Sequence, residues 1–253
     1  MSPEADVIGI LVAGGAGLRF SKSTPKLLHL LAGQPVLHWS AGVLLNHPRV
    51  GRVVVVANPE YMGVYRQYLE QVIALGGKPV QWVEGGPTRR ASVENGLNAL
   101  GLDKVADADR LVMIHDGARP FVRPNRIDDL LAVFDNSPTV GASLGAPMTN
   151  TLKEVCDVSE GSPVKKTISR AGLWQVHTPQ AFRYGILKAA HEAVSGEPFL
   201  TDDAALVETF CDESQTVRMV PDDPFNIKLT TQDDLPHAEA LASHFFARQP
   251  ATP

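Results

Sequence analysis

The feature that most constrains the fold is the alternation of short apolar runs with helical stretches through residues 7–144. Residues 7–12 form an almost unbroken apolar run that ends near a glycine pair, which is typical of a strand buried on both faces of a parallel sheet. Similar runs lie at 53–57 and 111–114, with weaker ones at 80–83 and 140–144. Helical stretches separate them at 35–45, 59–75 and 92–100. This alternation predicts an α/β, Rossmann-like fold with a mostly parallel sheet flanked by helices.

The helix starts and the second half of the chain complete this outline. Pro35 and Pro59 stand at plausible first helical positions, and Ser92 is expected to cap the third helix. Helical patterning returns at 184–195, 202–210 and 231–246, with a strand near 216–220. Residues 149–180 interrupt the pattern, because prolines and clusters of threonine and lysine replace any helical period. We expect this stretch to contain an inserted arm within a single domain spanning 1–253.

Composition excludes several classes of function. The chain is 44% hydrophobic and 20% charged, which is ordinary for a soluble globular protein. Its net charge is -5 without any block of lysine and arginine, so no nucleic-acid partner is expected. No apolar run approaches the ~18 to 20 residues of a membrane span, and residues 1–6 are acidic rather than basic, so neither a membrane nor export is expected. Cys156 and Cys211 allow at most one disulfide, so we expect small buried side chains and a cytoplasmic protein.

The strongest local signal is a glycine-rich turn at the end of the first apolar run. Gly14, Gly15 and Gly17 have no Cβ, so backbone N–H groups can cradle phosphate oxygens there. Arg19 and Lys26 place two cations just beyond the turn. The pattern favours a nucleoside triphosphate, although a tight turn with solvated charges is an alternative for so short a loop.

Two familiar phosphate motifs do not fit this turn. Phe20 occupies the third-glycine position of a dinucleotide fingerprint. A P-loop needs a Gly-Lys pair followed by Ser or Thr, but the only such pair, Gly77-Lys78, is followed by Pro79. The site is therefore neither a dinucleotide site nor a P-loop.

Serine-hydrolase and zinc chemistry are also disfavoured. Residues 141–145 match the G-x-S-x-G elbow, but Pro147 interrupts where a helix must begin, so Ser143 is predicted to be a strand residue. No histidine or cysteine pair has zinc-site spacing, and His177 is expected to be a packed or hydrogen-bonding residue.

Two further segments follow predicted strands, where open α/β sheets bind ligands. In residues 115–120, Asp116 could hold Mg2+ or a substrate hydroxyl, or it could order its loop by pairing with Arg119. Residues 85–92 could offer hydrogen bonds to a base edge, or they could simply be a capped helix start.

In order along nearly the whole chain, these segments resemble the family of 2-C-methyl-D-erythritol 4-phosphate cytidylyltransferases, enzymes of the non-mevalonate isoprenoid pathway. The matching segments are 13–19, 25–26, 85–86 with Arg89 and Ser92, 115–120, 146–147 with Thr151, 170–174, 178–180, 201–204 and 226–230. One such motif would be weak evidence, whereas the ordered set is specific.

The resemblance implies a nucleotidyltransferase domain that binds CTP along the glycine-rich turn. The nucleotide-binding residues that it implies are Ala13, Gly14, Gly15, Gly17, Gly85, Gly86 and Ser92. The implied catalytic cations are Arg19, Lys26 and Lys228. The residues implied around methylerythritol phosphate are Asp116, Arg119, Thr151, Arg170 and Thr178, and Asp116 is also the expected Mg2+ ligand.

The implied reaction needs no side-chain nucleophile, because the acceptor phosphate attacks the α-phosphorus of CTP and pyrophosphate leaves. Both reactants are anions, so the cations and Mg2+ would act by positioning and electrostatic stabilisation. The resemblance also implies that the arm within 149–180 embraces a second subunit, which gives a homodimer with shared active sites.

The chain departs from the family pattern at two positions. Pro87 stands where an acidic residue often helps to bind the base, which leaves base discrimination more to backbone groups. Phe225 stands where Asp or Glu is expected, so a second carboxylate near the metal is in doubt. Asp222 and Asp223 could replace it, or they could form a solvated turn.

Two other functions stay open at this point. A cytidylyltransferase for another polyol phosphate, such as ribitol 5-phosphate, would look much the same in its nucleotide half. A non-catalytic nucleotide-binding scaffold is possible on the same fold. The joint presence of five residues argues against the scaffold: Arg19, Lys26, Asp116, Arg119 and Lys228.

Overall fold

A computed structural model describes residues 7–15, 25–102, 104–135, 137–193, 201–212 and 215–246. The strands are β1 (Val7–Ala13), β2 (Leu30–Leu31), β3 (Gln34–Pro35), β4 (Val50–Ala57), β5 (Val80–Glu84), β6 (Leu111–Asp116), β7 (Gly141–Pro147), β8 (Leu152–Val155), β9 (Val164–Ile168), β10 (Trp174–Arg183) and β11 (Val217–Pro221). The α-helices are α1 (Val36–Asn46), α2 (Met62–Gly76), α3 (Arg89–Asn98), α4 (Pro124–Ala132), α5 (Tyr184–Ala193), α6 (Asp203–Phe210) and α7 (Leu235–Phe245).

Within the described ranges, the central sheet has seven strands in the order β11-β7-β10-β6-β1-β4-β5. All neighbouring pairs are parallel except those of β10, which runs antiparallel to both β6 and β7. The predicted Rossmann-like, mostly parallel sheet is therefore confirmed. Because β1 and β6 are parallel neighbours with Val12 opposite Asp116, the glycine-rich turn and the Asp116 loop begin side by side.

Helices cover both faces of this sheet. The side chains of β1 accordingly alternate between two hydrophobic cores, one on each face. Leu11 faces the core formed with α1, α2, α4 and α7. Ile10 faces the core formed with α3, α5 and α6. The strand is apolar in every register because neither face meets water.

The start of α3 differs from the prediction. Thr88 is the N-cap, and its Oγ1 accepts a hydrogen bond from the Ala91 N–H at 3.1 Å. Ser92 lies one turn later and donates to the Thr88 carbonyl at 2.9 Å. The prediction that Ser92 caps this helix is wrong, because Thr88 satisfies the exposed N–H groups earlier. Ser92 instead lies in the first turn of the helix and lines a cleft.

The stretch 149–180 contains less irregular structure than its composition suggested. The strands β8 and β9 form a two-stranded antiparallel sheet outside the central one. From Trp174 the chain re-enters the central sheet as β10, between β6 and β7. This strand was not predicted, because Pro179 lies inside it and proline is rare within a strand. The register of β10 against β7 shifts around this proline, between Val176 and Gln180. The helix α4 was also not predicted, although it begins with Pro124. The predicted first helical position of Pro35 is wrong by one residue, because Pro35 is the N-cap of α1.

The two cysteines are free, and Cys156 is exposed near the end of β8. The expectation that both are buried is wrong for Cys156. Within the described ranges, no helix has the length and apolar character to cross a membrane.

Candidate active site

A cleft of about 670 Å³ lies at the carboxyl ends of the central strands. This is where open α/β sheets place ligands. Its described lining combines the glycine-rich turn, the start of α3 and the loops after β6 and β11. The polar and glycine residues of the lining are Gly14, Gly15, Lys26, Asn58, Gly86, Thr88, Arg89, Ser92, Asp116, Lys228 and Thr230; Val12, Ala13, Leu27, Pro87 and Ala118 complete it.

One wall of this cleft is made by backbone, because two glycine turns touch each other. A Cβ on Gly85 would lie 2.9 Å from the Cα of Gly14, and a Cβ on Gly14 would lie 2.7 Å from Ser92 Oγ. The Gly86 N–H donates to Ser92 Oγ at 3.1 Å. Glycine is therefore sterically required at 14 and 85, and Ser92 holds the second turn in place.

Two predicted cations stand on the cleft wall. Lys26 begins a short 3₁₀ helix, Lys26–Leu28. Lys228 is placed by its neighbour, because the Leu229 N–H donates to the Ala118 carbonyl at 3.0 Å and ties this loop to the one after β6. Arg19 and Gly17 lie outside the described residues.

Asp116 is held by two cations at the edge of the cleft. Arg89 Nε donates to Asp116 Oδ1 at 3.0 Å, and Lys228 Nζ donates to Oδ2 at 2.5 Å. Burial acts to raise the pKa of Asp116, but Arg89 and Lys228 outweigh it and hold that pKa well below its usual range. The alternative that Asp116 orders its loop by pairing with Arg119 is wrong, because its ion-pair partners are Arg89 and Lys228.

A second pocket of about 400 Å³ adjoins the cleft. Its described lining is Arg89, Asp116, Arg119, Val176, His177, Thr178, Gln180, Thr201, Asp202, Ala204, Ala205, Glu208, Met219 and Lys228. Arg89, Asp116 and Lys228 line both spaces. These three charged side chains therefore mark the junction where ligands of the two pockets would meet.

Arg119 gives the second pocket a buried positive charge. Its Nη1 and Nη2 donate to the carbonyls of Asn226 and Val176 at 2.6 and 3.3 Å, while its buried Nε has no partner. Across the described ranges, no carboxylate lies within ion-pair distance of it, and burial lowers its pKa. A buried cation without a partner of opposite charge suits an anionic ligand group.

Thr178 is oriented by a chain of hydrogen bonds. Burial lowers the pKa of His115 to about 4, so its ring is neutral and carries one proton at neutral pH. That proton is on Nε2, because Nε2 contacts the Arg119 carbonyl at 3.0 Å and a carbonyl can only accept. His115 Nδ1 therefore accepts from Thr178 Oγ1, at 3.2 Å, and Thr178 Oγ1 accepts from the Asp116 N–H at 3.0 Å. With its proton committed, the Thr178 hydroxyl can only accept a hydrogen bond from a ligand.

Thr151 and Arg170 are not brought to either pocket within one chain. Both are exposed beside the β8–β9 sheet, and the Arg170 guanidinium donates to the Thr149 carbonyl. Their predicted roles toward a substrate remain predictions.

The carboxylates of the cleft limit what metal it could hold. Asp116 is the one carboxylate in its described lining, and no group of three or more His, Cys, Asp or Glu side chains in the described ranges could bind a metal ion. The side chain of Asp222 is buried and hydrogen-bonded to His177 and Asn226, and Asp223 contacts Arg126. The idea that these two aspartates supply a second carboxylate is therefore wrong. Asp116 alone could hold Mg2+ only if substrate phosphates and water supplied the other ligands. Mg2+ prefers such a site, with one or two carboxylates, phosphate oxygens and water.

Ser143 is a buried residue in the middle of β7, as predicted. Its Oγ contacts the carbonyls of Leu144 and His177 at 3.1 and 3.3 Å and accepts from Gln180 Nε2 at 2.9 Å. His177 is hydrogen-bonded to Asp222, as its interpretation as a hydrogen-bonding residue predicts. Because the Ser143 hydroxyl is committed to backbone and Gln180, it is not a nucleophile.

Ser143→Ala is expected to lower the free energy of unfolding by about 1–3 kcal/mol, because a buried Gln180 N–H loses its acceptor. Turnover per folded molecule should change little. Denaturant unfolding and nucleotide turnover would measure the two effects. Ser243→Ala on α7 is a matched control, since its hydroxyl bonds its own helix on an exposed surface. A folded but inactive Ser143→Ala variant would contradict this interpretation.

Known proteins are similar to this chain along nearly its whole length. The family model described as IspD, 2-C-methyl-D-erythritol 4-phosphate cytidylyltransferase, matches residues 7–244. Relatives of that name from Bacillus pumilus and Bacillus velezensis are 40% and 37% identical over 236 and 237 residues, covering 92% and 93% of this chain and 95% of each relative. The crystal structure of the protein of that name from Francisella tularensis is 27% identical, with a TM-score of 0.75 over 93% of this chain and 99% of that one.

Proposed function

The chain belongs to the 2-C-methyl-D-erythritol 4-phosphate cytidylyltransferase family, and from that premise we propose how its two pockets divide the reaction. The enzyme transfers CMP from CTP to 2-C-methyl-D-erythritol 4-phosphate in isoprenoid precursor biosynthesis. CTP occupies the cleft at the glycine-rich turn, and the acceptor occupies the second pocket. The observation that carries this proposal is the shared lining by Arg89, Asp116 and Lys228, because transfer requires the two substrates to meet.

The nucleotide end is recognised mainly by backbone. The wall formed by Gly14, Gly85, Gly86 and Ser92 carries no side chain larger than that of serine, so a flat base can lie against its backbone. Pro87 lines the cleft but has neither a charge nor an N–H. Discrimination of cytosine therefore depends on the backbone around Ser92 rather than on an acidic side chain at 87.

The acceptor end is recognised by the groups of the second pocket. Arg119 places its buried charge against the acceptor phosphate, and Thr178 accepts from an acceptor hydroxyl. Thr151 and Arg170 reach the acceptor from a second subunit, since neither is in the described lining of the two pockets of its own chain. The protein accordingly acts as a homodimer whose β8–β9 sheet contacts the partner. Its two free cysteines favour the reducing cytoplasm as its location.

The reaction itself is an in-line displacement in which an acceptor phosphate oxygen bonds to the α-phosphorus and the bond to pyrophosphate breaks. Lys26 and Lys228 stabilise the charge that develops on the phosphate oxygens. Asp116 remains ionised because its cationic partners lower its pKa, so it orients groups rather than removing protons. Bound Mg2+, held by Asp116 and the triphosphate, would neutralise phosphate charge and favour departure of pyrophosphate.

The test is pyrophosphate release from CTP with a panel of polyol phosphates, in the presence of Mg2+ and after its removal with a chelator. Methylerythritol phosphate should be consumed, and chelation should abolish release until Mg2+ is restored. Turnover of ribitol 5-phosphate alone would show that the acceptor is wrong. Binding of CTP without consumption of any acceptor would favour the scaffold, and full activity in chelator would contradict the metal requirement.

A further inference from the structure

Behind the junction of the two pockets lies a row of four alternating charges. Arg89 Nη1 donates to Asp203 Oδ2 at 2.8 Å, and Arg89 also binds Asp116, which binds Lys228. Side-chain exposure is 3% for Asp203, 25% for Arg89, 8% for Asp116 and 37% for Lys228. The row therefore begins at a carboxylate buried in the protein and ends at an ammonium group open to the cleft.

We propose that Asp203 is a positioning residue for the transfer reaction: it fixes Arg89 and, through Arg89, sets Asp116 and Lys228 at the junction. This inference rests on the proposed function. Asp203 lines neither of the two pockets in which we place the substrates, and it shares with Arg89 only a smaller adjoining cavity of about 250 Å³. Its effect on turnover must pass through Arg89.

The surroundings of Asp203 make it a firm anchor. It is the first residue of α6, where a negative charge is favoured by the helix dipole. Its N–H donates to Gln180 Oε1 at 3.2 Å, and the preceding Asp202 caps the helix and accepts from Gln180 Nε2 at 2.7 Å. Gln180 belongs to β10 in the central sheet, so the sheet itself holds the Asp203 end of the row.

Arginine is required at position 89 by geometry as well as charge. Its Nε reaches one carboxylate while its Nη1 reaches another, which only a planar guanidinium can do with fixed directions. Without the Asp203 charge, Arg89 would lose one of its two fixed contacts, and its remaining bond to Asp116 would no longer define its orientation. Asp116 and Lys228 would then sample positions unsuited to transfer.

The first experiment compares kcat and KM in Asp203→Asn with those of the wild type. The amide nearly preserves the shape but removes the charge, so kcat should fall roughly 10- to 100-fold with little change in KM for CTP. Asp223→Asn is the matched control, since Asp223 also sits between arginines but lines neither pocket. A purely structural role would lower thermal stability in both variants and leave kcat per folded molecule unchanged, which would overturn the proposal.

The second experiment tests whether Asp203 acts through Arg89. Losses from Arg89→Ala and Asp203→Asn should not multiply, so the double variant should be no slower than Arg89→Ala alone. If Asp203→Asn does not fold, Arg89→Lys replaces it: the charge stays, the two-sided contact is lost, and kcat should fall similarly. Multiplying losses, or normal kcat in Arg89→Lys, would overturn the inference. An inert wild type would instead contradict the proposed function.

Discussion

Lys26→Ala is expected to lower the rate of pyrophosphate release by about 10²- to 10³-fold without unfolding the protein. The ammonium group lies on the cleft wall that we assign to CTP, where charge develops on the phosphate oxygens during displacement. Lys26 is only partly buried, so its removal leaves no cavity in the core. Initial rates at saturating CTP and acceptor would give kcat, and thermal unfolding would show that the fold is kept.

Two further variants test whether the rate depends on a positive charge at position 26 or on the total positive charge of the protein. Lys26→Arg keeps a cation and should retain part of the activity. Lys188→Ala removes a partly buried lysine that binds Glu192 along α5 and Asn98 on α3, outside the cleft lining, and it should leave the rate unchanged. Near-normal turnover in Lys26→Ala would contradict the electrostatic mechanism. The same loss is predicted for Arg19→Ala, on the sequence resemblance alone.

The strands β1, β4 and β6 could be predicted from the sequence because most of their residues are buried on both faces of the sheet. Every residue of β1 is apolar or glycine, and in β6 only the last two residues, His115 and Asp116, are polar. These runs therefore stand out from the amphipathic helices between them. The strand β10 could not be predicted in this way. Its first residues are half-buried or exposed, and Pro179 lies inside it, so neither an apolar run nor a strict alternation marks it.

The site was predictable to the extent that its residues follow strands. Gly14 follows β1 and Asp116 ends β6, so the strand pattern of the sequence places both at the carboxyl edge of the sheet. That the two strands are neighbours is shown only by the structure. The Arg89–Asp203 pair joins residues 114 positions apart on two helices, and no local pattern announces such a contact. Asp203 lies in the segment 201–204 that matches the family, but the resemblance implies no role for it, and its local pattern is that of an ordinary helix start. Its burial beside Arg89 is what points to a role.

The ionic row also narrows the chemistry that the junction can perform. A carboxylate held ionised by two cations is a poor general base, because a base must bind a proton readily at the working pH. The mechanism therefore rests on the position of fixed charges, and it fits a reaction whose attacking phosphate is already an anion. Such a mechanism is sensitive to displacement of its charges by a fraction of an ångström.

The second large effect concerns sharing of the active site between subunits. In a single chain, Arg170 lies beside the β8–β9 sheet and lines neither pocket, although the family resemblance gives it an acceptor-binding role. An arm of this kind is ordered more readily when it packs against a second copy. If Arg170 completes the partner's pocket, Lys26→Ala and Arg170→Ala homodimers should each be nearly inactive.

Mixing the two variants should then restore activity. In a mixed dimer with two-fold symmetry, one site carries both defects and the other carries neither. Half of randomly assembled dimers are mixed, so roughly a quarter of wild-type turnover is expected. Joint refolding or co-expression followed by measurement of CTP turnover tests this, with Lys153→Ala on β8 in place of Arg170→Ala as the control for disturbance of the arm. Confirmed mixed dimers that stay inactive would place Lys26 and Arg170 in one chain's site, and a monomer in solution would exclude sharing, because each pocket would then have to bind its acceptor without Arg170.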